Sequence, residues 1–330
     1  MNQNKIRFGV VGTNSITDKI IAGGREDERF ELAAVCSRSE ETAKQFAAKH
    51  QIPHTFTSLQ AMAESELIDA VYIASPNAFH AEQSILCMQH GKHVLCEKAF
   101  ASNAREVKQM IKTAKENHVV LMEAMKPMLT PGFCAVQKAL PEIGTIRQYF
   151  ACYSQYSSRY DQLKEGIVLN AFNPELSNGA VMDIGVYTIY PMVVLFGRPQ
   201  TIQASGVRLY TGVDGNGSVN FTYNGFNATV LYSKIANSQL PTEIQGEDGL
   251  ITLDRINIIS EATLTRRNGT KENIRPQVEK HEYYYEVAEF IDLIQSGRQE
   301  STINSLENSL ITMEIMDEIR RQIDVVFPSD

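Results

Sequence analysis

Three side chains in this sequence have the types and spacing that acid–base chemistry needs. Asp183 and Tyr187 lie four residues apart in an apolar segment of helical period, so both fall on one helix face. Lys98 closely follows the predicted strand 93–96, whose apolar residues Val94, Leu95 and Cys96 are typical of a buried strand. An ammonium near a tyrosine favours the phenolate, and an alcohol losing hydride needs a base for its proton. We therefore predict Tyr187 as acid/base, Lys98 as its electrostatic partner and Asp183 as the orienting group.

The alternative interpretation of Asp183 and Tyr187 is purely structural. Asp183 would then cap a helix and Tyr187 would be an interfacial aromatic residue. The strand that ends in Lys98 favours the chemical interpretation, because ligands of open α/β sheets bind at the carboxyl ends of the strands.

A glycine turn near the N-terminal end is of the kind that holds a dinucleotide. The strand-like residues 6–11 lead into Gly12, and a helical pattern follows from Ser15. Backbone N–H groups and the helix dipole would bind the pyrophosphate there. A full fingerprint has glycine at positions 12, 14 and 17, whereas this chain has Asn14 and Thr17 at the last two. Asparagine tolerates left-handed backbone and can bond a phosphate, although a plain strand–turn–helix is the alternative.

The end of the second predicted strand bears on which nicotinamide cofactor is used. NAD-specific sites place Asp or Glu there for the ribose 2′-OH, but this chain has Ser37 and Arg38 and no acid. A guanidinium can stack on adenine and bond a 2′-phosphate through a charge-assisted fork. An ordinary surface arginine is the alternative. The residues favour NADP, with NAD possible.

Composition excludes several classes of function. The chain has 330 residues and a formal net charge of -8, which argues against nucleic acid as the main partner. Five scattered cysteines without a CxxC pair indicate reduced thiols and a cytoplasmic protein. The polar start shows no signal peptide, and no apolar run reaches the roughly 20 residues of a membrane helix. We expect no metal site among the seven histidines.

Strand and helix patterns alternate up to about residue 125, which predicts an α/β domain with a doubly wound parallel sheet. From residue 145 to 267 short strand patterns predominate, and turn signals such as Asp214-Gly215 and Asp248-Gly249 predict an antiparallel sheet. The amphipathic stretch 179–196 should cover one face of that sheet. We place a Rossmann domain at 1–124 and a substrate-binding and oligomerisation domain, of α+β class with a large mostly antiparallel sheet, at 125–330.

Several motifs together resemble those of the glucose–fructose oxidoreductase/inositol dehydrogenase/MocA family. The resemblance spans nearly the whole chain, and the motifs are Gly9-x-x-Gly12, Ser37-Arg38, Ser75-Pro76-Asn77-x-x-His80, Gly91-Lys92-His93-Val94-Leu95-Cys96-Glu97-Lys98 and Met182-Asp183-Ile184-Gly185-Val186-Tyr187. The Asp-x-x-x-Tyr ending is similar to the dimeric dihydrodiol dehydrogenase and glucose–fructose oxidoreductase branch, since inositol dehydrogenases carry His at the last position. The resemblance implies hydride transfer between NAD(P) and a sugar, polyol or dihydrodiol-type carbon.

The resemblance also implies roles for individual residues. The cofactor-binding set would be Gly9, Gly12, Thr13, Asn14, Ser15, Ile16, Ser37, Arg38, Ser75, Pro76, Asn77, His80, Glu97 and Lys98. Lys98, Asp183 and Tyr187 would face the substrate, with Asn170 as a further contact. Ala99 stands where the family has proline, so we expect a trans Lys98–Ala99 peptide bond, because a non-proline cis bond costs about 2.5–4 kcal/mol.

Two functions of different classes stay open at this stage. The first is an NADP-dependent oxidoreductase that acts on a small molecule and forms a homodimer or homotetramer through its C-terminal sheet. The second is a dinucleotide-binding regulator that has the fold without turnover, which the altered glycine turn and Ala99 would favour. Lys98, Asp183 and Tyr187 together favour the enzyme, because a sensor has no chemical need for all three.

Overall fold

The computed structural model describes residues 5–278 and 280–330, and it divides the chain into two compact units. The first unit comprises Met1–Lys126 and Glu279–Glu307, and the second comprises Pro127–Val278 and Asn308–Asp330. A late helical segment thus belongs to the first unit. The division into functional domains at 1–124 and 125–330 stays a prediction.

The first unit is built on a six-stranded parallel sheet. Its strands are β1 (Ile6–Val11), β2 (Phe30–Cys36), β3 (His54–Phe56), β4 (Ala70–Ile73), β5 (His93–Glu97) and β6 (Leu121–Ala124), in the order β3-β2-β1-β4-β5-β6. Each neighbouring pair is parallel. Its helices are α1 (Ser15–Gly24), α2 (Glu40–His50), α3 (Leu59–Glu64), α4 (His80–Gln89), α5 (Ala104–Glu116) and α9 (Tyr284–Ser296). The predicted doubly wound Rossmann sheet is confirmed.

The second unit is built on an eight-stranded sheet. Its strands are β7 (Ile146–Ser154), β8 (Thr201–Arg208), β9 (Asp214–Thr222), β10 (Asn227–Ser233), β11 (Thr242–Gly246), β12 (Gly249–Leu253), β13 (Ala262–Arg266) and β14 (Lys271–Asn273). Their order is β14-β13-β12-β11-β7-β10-β9-β8, and β7 and β10 form a parallel pair within an otherwise antiparallel sheet. Its helices are α6 (Pro131–Ala139), α7 (Tyr160–Lys164), α8 (Val186–Phe196) and α10 (Leu306–Gln322). The predicted mostly antiparallel sheet is confirmed.

The burial of the strands explains the difference between the two sheets. Every residue of β4 is buried, as expected where helices cover both faces of a parallel sheet. In β10 burial alternates along the strand, because α8 packs on one face only. The apolar runs of the first unit and the alternation of the second thus follow directly from how many faces each sheet buries.

One predicted turn is wrong. Asp214-Gly215 was expected to form a hairpin turn, but these residues begin β9, and Asp214 is fully buried. The turn signal rests on the small polar side chain of aspartate, which here serves instead as a buried acceptor of helix N–H groups, as described below.

The expectation that no apolar run reaches the length of a membrane helix is wrong, because the segment Pro174–Phe196 is long and apolar enough to cross a membrane, with a mean hydropathy of 1.6 in its most apolar window. Of that window, 72% is buried inside the protein. This is the burial of a core helix, and it agrees with the packing of α8 against β7 and β10.

Close packing of α1 against α9 depends on Gly23. A Cβ atom at this position would lie 2.6 Å from the carbonyl carbon of Tyr283 and 2.7 Å from the backbone nitrogen of Tyr284. Such distances are well inside van der Waals contact, and the atoms met are backbone atoms that cannot rotate away. Only glycine lets the two helices approach this closely.

We predict that Gly23→Ala destabilises the protein. Overpacking costs about 1–3 kcal/mol, and the contact with backbone places this site at the upper end, so the gain of about 1 kcal/mol in helix propensity does not offset it. Urea unfolding followed by circular dichroism should show a lower midpoint. The control is Ala22→Ser on the exposed side of the same helix, which should stay within about 0.5 kcal/mol of wild type. A Gly23→Ala midpoint at or above wild type would contradict this account of the packing.

Candidate functional site

The cofactor half of the site lies at the carboxyl ends of β1, β4 and β5. The chain builds the sheet outward in both directions from β1 and β4, so the crevice above these two strands is the topological switch point of the fold. Gly12 follows β1, Ser75 follows β4 with one residue between, and Lys98 directly follows β5. The topology therefore brings the three predicted cofactor segments to one edge of the sheet.

The turn after β1 requires glycine at its first position. Gly12 has a φ of +99°, and a Cβ there would lie 2.7 Å from the carbonyl oxygen of Ala74. The Asn14 amide donates a 2.8 Å hydrogen bond to that same carbonyl, and its side-chain oxygen accepts from the N–H groups of Ile16 and Thr17. Asn14 is thus the N-cap of α1, and it fixes the turn against β4.

Thr17 compensates for the other missing glycine. Its hydroxyl is buried and donates a 3.0 Å hydrogen bond to the Gly12 carbonyl, which closes the turn from the helix side. Gly9 lies earlier, within β1, where a Cβ would meet the Met62 sulfur at 3.0 Å. Gly9 therefore serves the packing of α3 on the sheet, and the two departures from the glycine fingerprint leave a well-bonded turn.

Most of the predicted cofactor residues are accessible at this edge. Exposed or half-buried side chains are those of Thr13, Asn14, Ser15, Ile16, Ser37, Arg38, Ser75 and Pro76. Arg38 is exposed, two residues beyond β2, and Ser39 after it caps α2 by accepting from the Thr42 N–H. The turn, the helix N-terminus and an exposed arginine at the end of β2 fit a dinucleotide with its adenosine end at β2.

His80 and Asn77, two further predicted cofactor residues, are buried. His80 is fully buried, with Nδ1 at 2.9 Å from the Ala99 carbonyl oxygen and Nε2 at 2.8 Å from the Ser75 carbonyl oxygen. Burial lowers the pKa of His80, and the Lys98 cation acts in the same direction. His80 thus joins the segment after β4 to the segment after β5, both of which are predicted to bind the cofactor.

The Lys98–Ala99 peptide bond is cis, and the expected trans bond is wrong. The expectation considered residue type alone. In the structure Ala99 and Phe100 are buried, and the Ala99 carbonyl lies within hydrogen-bond distance of His80, so tertiary contacts surround the bond on its far side. Lys98 itself is half-buried at the end of β5.

Glu97 belongs to a buried polar cluster that the sequence did not reveal. Its carboxylate accepts a 2.5 Å hydrogen bond from the Tyr72 hydroxyl, and burial raises its pKa. Burial also raises the pKa of Glu286 in α9 well above its usual range, with the Glu97 charge adding to the effect. Lys126 lies nearby in the fold, forming a 2.7 Å ion pair with Glu282. Glu97 is thus a core residue beneath the cofactor edge.

The substrate half of the candidate site lies in the second unit, where a π-helix at Val181–Gly185 runs directly into α8. In the fully described segment 180–193, all side chains are buried except those of Asp183 and Tyr187, which are partly accessible. π-Helical turns inside α-helices are found frequently at functional sites. Within the segment 180–193, the two residues singled out by their spacing are therefore the two that a small molecule could reach.

Asp183 is held by a lysine that sequence reasoning missed. The Lys234 ammonium lies 2.8 Å from Asp183 Oδ2 and donates a 2.8 Å hydrogen bond to the Ala171 carbonyl. The Lys234 side chain is 2% exposed, whereas that of Asp183 is 37% exposed. Lys234 directly follows β10, and this position after a predicted strand is a signal in the sequence that could have suggested a strand-end lysine.

Asp214 supports the same helix from below. Its two oxygens accept hydrogen bonds of 2.9 and 2.8 Å from the N–H groups of Ala180 and Val181, at the start of the π-helix. Burial raises the pKa of the Asp214 carboxyl to about 6, against the lowering effect of these N–H groups and of Lys234. A carboxylate at a helix N-terminus is stabilising, so Asp214 fixes the end of the helix that carries Asp183.

Tyr187 and Asn170 occupy accessible positions. The Tyr187 ring meets the ring of Tyr153 edge to face, with centroids 5.7 Å apart. Asn170 is exposed at the start of a 3₁₀ turn, Asn170–Phe172, whose middle carbonyl is the one that Lys234 binds. Lys98 belongs to the other unit, and its pairing with Tyr187 stays a prediction from the chemistry of the two side chains.

Known proteins resemble both halves of the chain. Residues 6–125 match the oxidoreductase family with the NAD-binding Rossmann fold, GFO/IDH/MocA, and residues 139–252 match the GFO/IDH/MocA C-terminal domain. A scyllo-inositol 2-dehydrogenase (NADP(+)) from Bacillus subtilis is 53% identical over 98% of this chain and 99% of its own length. A trans-1,2-dihydrobenzene-1,2-diol dehydrogenase from Danio rerio is 31% identical, with coverage of 98% and 99%.

Solved structures show the same fold. A 3-ketoreductase from Actinomadura kijaniata, solved with NADP and TDP-benzene, superposes with a TM-score of 0.83 over 97% of this chain and 98% of its own, at 23% identity. At this level of identity the likeness concerns architecture. The family resemblance and the two-sheet fold predicted from the motifs are both confirmed.

We predict that Gly12→Ala weakens NADPH binding at least tenfold, which corresponds to about 1.4 kcal/mol. The added methyl group would lie 2.7 Å from the Ala74 carbonyl oxygen, and the φ of +99° at this position is one that L-residues avoid, so the turn must move. Fluorescence titration of NADPH measures the effect. The control is Gly91→Ala, where φ is also positive but no atom lies within 4 Å of the new Cβ. Equal affinity in Gly12→Ala and Gly91→Ala would count against this turn as the cradle.

Proposed function

The chain belongs to the GFO/IDH/MocA family of oxidoreductases, and we propose that it oxidises a CH–OH group of a cyclic polyol of the inositol type, with NADP⁺ as hydride acceptor. The observation that carries the proposal is the pair Asp183 and Tyr187, the accessible side chains of an otherwise buried helical segment. The identity of 53% to a scyllo-inositol dehydrogenase, against 31% to a dihydrodiol dehydrogenase, supports a polyol over a dihydrodiol.

Each residue has a defined task in this reaction. When bound, NADP⁺ supplies the acceptor for the hydride that leaves the substrate carbon. The Tyr187 oxygen takes the hydroxyl proton as the carbonyl forms, and in the reverse direction it returns that proton. The Lys98 ammonium stabilises negative charge on the substrate oxygen, and Asp183 accepts a hydrogen bond from a substrate hydroxyl and so orients the ring. Asn170 supplies a further polar contact.

Arg38 is our basis for preferring NADP over NAD. Its guanidinium is exposed just beyond the end of β2 and is chemically able to bond a 2′-phosphate, and residues 37–39 include no acidic side chain to bond a 2′-hydroxyl. The Bacillus subtilis relative is named as an NADP(+) enzyme, which supports the same choice.

We further propose that the enzyme works in the cytoplasm as a homodimer or homotetramer formed through the C-terminal sheet. The five cysteines are free thiols, which suits a reducing compartment. Helix α8 packs on one face of the large sheet, while strands such as β8 carry mostly accessible residues. A broad sheet face of this kind is suited to pairing with a second copy.

We predict that the purified protein reduces NADP⁺ with scyllo-inositol and that Tyr187→Phe lowers kcat by about 10²–10⁴-fold, the usual contribution of positioned proton transfer. NADPH affinity should stay within about twofold of wild type, because only a hydroxyl in the second unit is lost. Absorbance at the reduced-nicotinamide band measures turnover. Tyr156→Phe is the matched control, since it removes a hydroxyl bonded to Asp161 outside the pair. Full activity in Tyr187→Phe would transfer the proton to another group.

We predict that Arg38→Ala raises the Kd for NADPH roughly ten- to hundredfold while the Kd for NADH changes little, because a charge-assisted hydrogen bond contributes about 1.5–3 kcal/mol. Parallel fluorescence titrations with both reduced cofactors measure this. Arg298→Ala removes an exposed arginine near the end of α9 and serves as the control. Equal affinity of the wild-type protein for NADPH and NADH would refute the preference.

A further inference from the structure

We propose that Lys234 is a positioning residue for the reaction, which holds the Asp183 carboxylate in place and ties it to the turn that carries Asn170. The inference rests on the proposed function, since it assigns Asp183 and Asn170 to the substrate. It adds a residue that none of the family motifs described above contains.

The backbone of Lys234 is fixed by two hydrogen bonds. Lys234 directly follows β10, its backbone N–H donates to the Gly215 carbonyl at 2.9 Å, and its carbonyl accepts from the Ser157 N–H at 2.8 Å. The side chain is almost fully buried, so its four-carbon stem has little freedom. A lysine that is fixed both at its backbone and at its ammonium can hold a partner rigidly, unlike the flexible lysines of a protein surface.

The charge of Lys234 is balanced within the protein. An ammonium that leaves water needs partners of opposite polarity, and the structure supplies Asp183 Oδ2 and the Ala171 carbonyl, each at 2.8 Å, together with the face of the Phe172 ring at 5.0 Å. Asp214 is the other carboxylate that feels this cation, and its oxygens accept from the Ala180 and Val181 N–H groups. Asp183 is thus directly paired with this cation.

The contact of Lys234 with the Ala171 carbonyl indicates that Lys234 positions substrate-facing groups in addition to stabilising the fold. Ala171 is the middle residue of the turn Asn170–Phe172, so one ammonium joins the accessible carboxylate to the segment that presents Asn170. Asp183 is 37% exposed, which leaves its carboxylate reachable by a small molecule while Lys234 holds Oδ2. A substrate hydroxyl would then meet an acceptor whose direction is already set, which is how a support residue contributes to rate.

The test is Lys234→Met, which keeps the length of the side chain and removes the charge. We expect kcat with scyllo-inositol to fall on the order of 10²-fold, KM to rise, and the acid limb of the kcat/KM profile to move to higher pH, because Asp183 loses the cation that favours its ionised form. NADPH affinity should stay within about twofold. Lys164→Met is the matched control, since it removes an exposed lysine that is paired with Asp161 in the same unit.

Two further variants separate positioning from folding. Lys234→Arg keeps the charge with a different shape, so kcat should fall while the acid limb keeps its wild-type pH; this comparison stands even if Lys234→Met does not fold. In an Asp183→Asn background, Lys234→Met should cost far less than it does in wild type, because its partner is already neutral. Thermal unfolding and NADPH titration show that each variant is folded.

The possible failures are distinguishable. A wild-type protein that oxidises no polyol with NADP⁺ refutes the proposed function. An active wild type together with a Lys234→Met variant of unchanged kcat, KM and acid limb refutes the role of Lys234 alone. Equal losses from Lys234→Met in the wild-type background and in the Asp183→Asn background would reduce Lys234 to a structural residue.

Discussion

A lysine buried behind an accessible aspartate is the interaction on which the proposed substrate half depends. In this ion pair the Lys234 side chain is 2% exposed and the Asp183 side chain is 37% exposed. The cation is therefore buried, whereas the carboxylate that it holds is accessible. Asp214 fixes the start of the same helical segment through two backbone N–H groups. Helix, carboxylate and turn are held by buried charges whose desolvation would be unfavourable without these partners.

The cofactor half achieves rigidity by neutral means. Gly12 meets the Ala74 carbonyl, Asn14 bonds that carbonyl and caps α1, and the Thr17 hydroxyl returns to the Gly12 carbonyl. The two departures from the glycine fingerprint thus replace conformational freedom with hydrogen bonds. This argues against a regulator that has lost the dinucleotide-binding turn, because the residues that replace the two glycines close the turn with their own hydrogen bonds.

Sequence patterns anticipated the fold where burial is regular. Apolar runs found the long strands of the Rossmann sheet, whereas β3 and β14, each three residues long, are too short to give a period. The spacing of Asp183 and Tyr187 identified the accessible face of their helix. Patterns could not find Lys234, whose role comes from a contact with a residue far away in the chain, nor the cis bond after Lys98, whose surroundings include His80.

In the proposed reaction a carbon-bound hydrogen of a polyol passes as hydride to NADP⁺, so an isotope on that carbon should pass with it. Wild-type protein is incubated with NADP⁺ and scyllo-inositol that carries deuterium on its ring carbons, and the NADPH is analysed by mass spectrometry. We expect one deuterium in each NADPH formed, together with slower turnover than with unlabelled substrate. Unlabelled NADPH, or no NADPH at all, would contradict it.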